Sequence, residues 1–277
     1  MKRFIARNVF LCLVAFSLSA EMAAATIIAY EGFNYDAATT LTGQSGGSGA
    51  WDTDWAASGA SPSAIVQSPG LSYSVLPVSG NLADSSAATS TINFRNVGPF
   101  NSGELWLSFL ARADDAAAAT GPTSFFGVGT YDGSNTAAVL AIQKLGDGSS
   151  TWGLTTPDAG LSADDSTGIV VAEGETYLIV THFKFTDAGG TVDLYVNPSL
   201  GNTPPVLADA TVTENVAGAL NFDRIRVAAQ NGRNWVFDEI RFGESFADVA
   251  IPEPTTCAMC LVALVIAGGL RQIQFKG

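Results

Sequence analysis

The chain is 277 residues long, 47% hydrophobic and only 14% charged, with a formal net charge of -13. Its 13 Lys and Arg stand against 26 Asp and Glu. That balance excludes a nucleic-acid partner, because neutralising phosphates needs clustered cations.

In chain order, three segments differ in character: 1–25, 26–249 and 250–277. The first opens Met1-Lys2-Arg3-Phe4-Ile5-Ala6-Arg7, continues with an apolar run over 9–18, and ends Ala23-Ala24-Ala25. Cations, a short apolar stretch and small residues form the pattern of a secretory signal, so signal peptidase is expected to cut after Ala25. The apolar run is too short to span a bilayer, which takes about 20 residues.

The second segment reads as strands. Alternating or apolar runs occur at 26–31, 89–95, 104–111, 124–130, 137–143, 176–185, 191–196, 220–228 and 235–242. In 176–185, Tyr177, Ile179, Thr181, Phe183 and Phe185 share one face of a strand, and Leu178, Val180, His182 and Lys184 share the other. Asp187-Ala188-Gly189-Gly190 then supplies a hairpin turn into 191–196. The Ala-rich stretch 113–119 lies between Asp114-Asp115 and Gly121-Pro122, which fits a turn or a short helix. Many strands joined by short turns predict an all-β antiparallel sandwich or barrel.

The third segment carries Pro252-Glu253-Pro254, an apolar stretch over 255–270, and a basic end over 271–277 with Arg271 and Lys276. A transmembrane helix is expected over 255–270, its trailing cations on the cytoplasmic side. The three Cys residues are Cys12, Cys257 and Cys260, none in the body, so the body is expected to have no disulfide and no thiolate chemistry. Cys257 and Cys260 have CxxC spacing, but inside an apolar helix they read as small apolar residues.

Two resemblances follow from these residues. Pro252-Glu253-Pro254, the apolar helix and the basic end together resemble the PEP-CTERM sorting signal of Gram-negative bacteria. The resemblance implies processing by an exosortase, transient anchoring in the inner membrane, and delivery to the cell surface or extracellular matrix. The body resembles the concanavalin A-like jelly rolls, laminin-G-like modules in particular. The matching pieces are Tyr30-Glu31-Gly32-Phe33, the hairpin 177–196, and Phe237-Asp238-Glu239-Ile240-Arg241. That resemblance implies a sandwich whose first and last strands lie side by side.

Candidate sites are few. His182 is the only histidine and lies mid-strand with no GxSxG nucleophile elbow in the chain, so it reads as structural or as a surface residue. One histidine and a body without Cys exclude a usual zinc site. Laminarinase-like enzymes of this fold carry Glu-x-Asp-x-x-Glu, and that pattern is absent. Asp238 and Glu239 are adjacent, so in a regular strand they face opposite sides and cannot act as a pair. Calcium prefers hard oxygen ligands; Asp52 with Asp54, and Asp132 with Asn135, offer them, or else shape turns. Trp51, Trp55 and Tyr131 form either a sugar-stacking platform or part of the core.

The expected function is that of an exported, non-catalytic, lectin-like surface or matrix protein that binds polysaccharide. Two alternatives stand beside it: a glycoside hydrolase or polysaccharide lyase of the same fold, and a purely structural matrix protein.

Overall fold

The computed structural model describes residues 26–250, except 75, 77, 86–89, 121–125, 134–137, 146–147, 157–163, 215–219 and 231. The expected signal, the sorting motif Pro252-Glu253-Pro254, the apolar stretch 255–270, Arg271, Lys276 and Asn135 all lie outside the described residues. Among the described residues no helix is long and apolar enough to cross a membrane.

The described residues form strands β1 (Ile27–Glu31), β2 (Ser48–Gly49), β3 (Ala56–Ala57), β4 (Ile65–Gln67), β5 (Leu82–Asp84), β6 (Ser90–Phe100) and β7 (Glu104–Ala113). After helix α1 (Ala116–Thr120) come β8 (Phe126–Tyr131), β9 (Ala138–Lys144), β10 (Thr151–Thr155), β11 (Asp164–Val170), β12 (Thr176–Thr186), β13 (Gly189–Val196) and β14 (Ala210–Glu214). Strands β15 (Phe222–Gln230) and β16 (Trp235–Gly243) and helix α2 (Phe246–Ala250) complete the body. One sheet runs β14-β13-β12-β7-β16-β1-β2, with β5 added to β16 and β4 to β5. The other runs β11-β10-β9-β8-β15-β6-β3. All strand pairs are antiparallel, and the first and last strands pair, Tyr30 opposite Arg241, as the jelly-roll resemblance implies.

Aromatic side chains fill the space between the sheets. Trp152 of β10 lies edge-on to Tyr177 at 5.6 Å and to Trp235 at 5.8 Å between ring centroids. Phe222 of β15 meets Phe183 of β12 at 5.2 Å, and Phe100 of β6 stacks on Phe242 of β16 at 5.4 Å. Each such ring stabilises the fold by about 1.5–3 kcal/mol relative to exposure. At one margin the sheets are tied directly, because Thr211 N–H of β14 donates to Asp165 Oδ2 of β11 at 2.7 Å.

The first sheet is buried on its outer face too. Leu110, Leu178, Val180, Val236, Trp106 and Tyr195 project there and pack under Leu71, Leu76 and Leu82 and under Phe246 and Val249 of α2. This second cover explains why β12 and β16 read as almost unbroken apolar runs. Strands β10 and β11 were not expected from the sequence. They are short and rich in Gly, Ser and Thr, so the alternation that marks a half-buried strand is weak in them. Helix α1 occupies the Ala-rich stretch, with Asp115 capping it through the Ala118 N–H.

Candidate functional site

Two regions gather polar chemistry. The first surrounds the junction of β1 and β16. Strand β16 pairs with β5 through Val236 and Phe237 and with β1 from Ile240 onward. At the changeover its register with β7 shifts between Asp238 and Arg241, and Glu239 takes a positive φ of 53°. A β-bulge breaks the alternation of side chains. Both acids therefore reach the same covering segment: Asp238 Oδ2 accepts from Leu71 N–H at 2.8 Å, and Glu239 Oε1 accepts from Ser79 N–H at 2.8 Å. The expectation that they face opposite sides is corrected by this bulge.

Their charge states are held apart. Asp238 is pushed up to about 9, first by burial and then by the neighbouring Glu239 carboxylate, so it is neutral at pH 7. Glu239 pairs with Arg241 Nη2 at 2.6 Å and accepts from Tyr30 O–H at 2.9 Å. A neutral acid beside a paired one lets both sit in a closed site. Every bond named here goes to the fold itself, and the bonds from Leu71 and Ser79 pin the covering segment onto β16.

On the inner face, Glu31 is the counterpart. It is fully buried and accepts from Phe33 N–H, Tyr35 O–H, Trp55 Nε1–H and Arg95 Nη1 at 2.8, 2.6, 2.9 and 2.6 Å. Trp55 is 1% exposed and stacks on Phe33. Trp51 is half-buried under the Arg95 guanidinium, with its Nε1–H on Tyr30 O at 3.0 Å.

The second region is the outer face of the second sheet. Cross-strand partners place Ile92, Ala228, Gly127, Gln143 and Gly153 in one row and Phe94, Arg226, Gly129, Ala141 and Thr155 in the next. Asn96, Arg224 and Tyr131 form a third row. The middle of this lattice is glycine and alanine. Around it stand Arg226, 4.3 Å from the Tyr131 ring centroid, and Arg224, 5.0 Å from that of Phe94 and bonded to Asn96 Oδ1 at 2.7 Å. Gln143 is 8% exposed, and among the described residues its Oε1 has no hydrogen-bond partner. A buried carbonyl left unsatisfied costs about 1–3 kcal/mol, so a ligand hydroxyl that reaches this atom gains a bond at no cost to the fold.

The expected platform of Trp51, Trp55 and Tyr131 is not assembled. Tyr131 is 1% exposed and lies on the second sheet under Arg226, while Trp55 is sealed in the core. The indole N–H of a buried Trp needs an acceptor, and Glu31 supplies it. Of the calcium candidates, Asp52 and Asp54 are exposed, and Asp132 is exposed beside Gly133, whose N–H goes to Asp223 Oδ1 at 3.0 Å. Among the described residues no three His, Cys, Asp or Glu side chains converge on a metal position. His182 stacks on Trp106 at 3.9 Å and bonds Glu104 Oε2 at 2.9 Å, a structural position on the covered face. Sequence reading missed Gln143, Arg224 and Arg226. Arginines two apart within an otherwise apolar strand, 222–230, are the signal that points to a polar outer face.

Among solved structures, the chain is similar to a protein of unknown function from Shewanella oneidensis MR-1, with TM-score 0.48 and 13% identity over 85% of this chain and 93% of that one. It is also similar to the carbohydrate recognition domain of Emp46p, with TM-score 0.41 and 8% identity over 78% of this chain and 99% of that one. Peanut lectin gives TM-score 0.38 and 10% identity over 77% of this chain and 95% of that one. Two of these neighbours are named as a carbohydrate recognition domain and a lectin. No family model and no curated protein matches.

Proposed function

We propose that this chain is an exported, non-catalytic β-sandwich that binds polysaccharide at the cell surface or in the extracellular matrix, sorted there through its Pro252-Glu253-Pro254 tail by an exosortase. The observation that carries the binding part is Gln143 Oε1, buried and, among the described residues, without a hydrogen-bond partner, on the same sheet face as the Arg226–Tyr131 stack. A sugar hydroxyl is donor and acceptor at once. It can donate to Gln143 while a neighbouring oxygen accepts from a guanidinium, the arrangement that few-point polar recognition requires. The reading is non-catalytic because Asp238 and Glu239 spend their oxygens on Leu71, Ser79, Tyr30 and Arg241.

The test is a binding screen of the mature protein against a broad polysaccharide panel, with Gln143→Ala and Arg226→Ala measured beside it. The expected result is binding by the wild type and at least a tenfold loss in each variant, with an unchanged melting temperature. Wild-type protein that binds no glycan sinks the lectin reading and leaves the structural matrix role. Release of new reducing or unsaturated sugar ends establishes the enzyme reading instead.

A further inference from the structure

The first described residue touches the last helix of the body. Thr26 N donates to Asp248 Oδ1 at 2.8 Å, next to the point where Ile27 pairs with Gly243. A Cβ at Gly243 would stand 2.5 Å from Asp248 Cβ and 3.1 Å from Val249 Cγ1, so the missing side chain is what lets α2 fold back against the end of β16. Asp248 is 6% exposed. Its other donors are Ser245 N–H at 2.7 Å and Ser245 Oγ–H at 2.8 Å, while Asp248 N–H returns a bond to Ser245 Oγ at 3.3 Å. This reciprocal cap starts α2. Every one of these donors is neutral, and among the described residues Asp248 makes no ion pair. A buried carboxylate without a counter-charge is costly.

We infer that removal of the leader supplies the missing cation. Hydrolysis breaks the Ala25–Thr26 C–N bond. Water gives its hydroxyl to the Ala25 carbonyl carbon and a proton to the Thr26 nitrogen. The new α-amine, with an ordinary pKa of about 7.7–8.0, takes up a further proton from solvent and is mostly ammonium at neutral pH. The nitrogen that faces Asp248 as a neutral amide in the precursor thus becomes a charged donor, and charge-assisted bonds are about twice as strong as neutral ones. The start of β1 and helix α2, from which the sorting tail departs, are locked together by the cut. This rests on the export reading, and it adds a structural consequence to that reading.

The test uses the full-length chain in detergent, before and after treatment with purified signal peptidase, as wild type and as Asp248→Asn. Terminal sequencing of the product is expected to start at Thr26. Cleavage is expected to raise the melting temperature of the wild type by about 2–4 °C and that of Asp248→Asn by much less. Where Asp248→Asn does not fold, acetylating the new α-amine of the wild-type product near pH 6.5, which spares lysines, is expected to return the melting temperature to the uncut value. A cut elsewhere overturns both the export reading and the lock. A cut before Thr26 with no Asp248-dependent or acetylation-sensitive change overturns the lock alone.

Discussion

Glu31 and Arg95 join the two sheets through the middle of the sandwich: Arg95 Nη1 lies 2.6 Å from Glu31 Oε2, with side chains 3% and 0% exposed. Glu31 sits on β1 and Arg95 on β6, each one strand in from the edge strand of its sheet, β2 and β3, so this ion pair links the two sheets. Breaking a buried pair strands the remaining charge, at a cost of about 3–5 kcal/mol. Arg95→Met is therefore expected to lower the melting temperature strongly in a calorimetric scan. Glu31→Gln, which also weakens the bonds from Tyr35 and Trp55, is expected to do the same. A loss under 1 kcal/mol in both would show that the pair is not a structural link.

Asp238 makes stability fall with rising pH over a window that follows from its shift. Its folded value of about 9 lies above the unfolded 3.8, so between these the native state holds a proton that the unfolded state has lost. The stability it contributes is complete below about pH 4 and is lost as pH rises through about 9. In Asp238→Asn, which mimics the neutral acid, denaturant titrations from pH 5 to 9 are expected to show a flatter profile than in the wild type. An unchanged slope would falsify the assignment of a neutral Asp238.

His182 has the opposite sign. Burial lowers its pKa below the usual 6.5, against the opposing hydrogen bond it donates to the Glu104 carboxylate. The native state then binds fewer protons than the unfolded state. The contribution is present above about 6.5 and is lost as pH falls through the folded value. The chain has one histidine, so a proton NMR titration gives one imidazole signal. Its midpoint is expected below 6.5, and a midpoint above that would reverse the claim.

Gly49 is a conformational requirement. Its φ is +87°, and a Cβ there would lie 2.1 Å from Ile28 O. It pairs with Ala29, where β2 closes the edge of the first sheet. Gly49→Ala is expected to cost more than 1 kcal/mol, read as a lower denaturation midpoint with an unchanged slope. Gly59, whose φ is +58° with open space around it, is the control and is expected to cost less on the same substitution.

The sequence by itself determined the all-β class and the hairpin 177–196, while the pairing of the first and last strands was implied only by the jelly-roll resemblance. The reason is local: side chains alternate across a strand with period two, and a two-residue turn at Asp187-Ala188 sets Thr186 opposite Gly189. It also marked the ends of the chain as segments apart from the body. It did not determine which aromatics are buried. Trp51, Trp55 and Tyr131 read alike in sequence, but Trp55 is sealed because Glu31, 24 positions away, accepts its indole proton. Asp238 and Glu239 became neighbours on one side only because β16 changes partners between β5 and β1 and bulges there. The rows that set Gln143 beside Gly127, and Arg226 beside Gly129, are products of strand order and register. Contacts of this kind depend on strands distant in sequence, and only the folded sheet decides which of them meet.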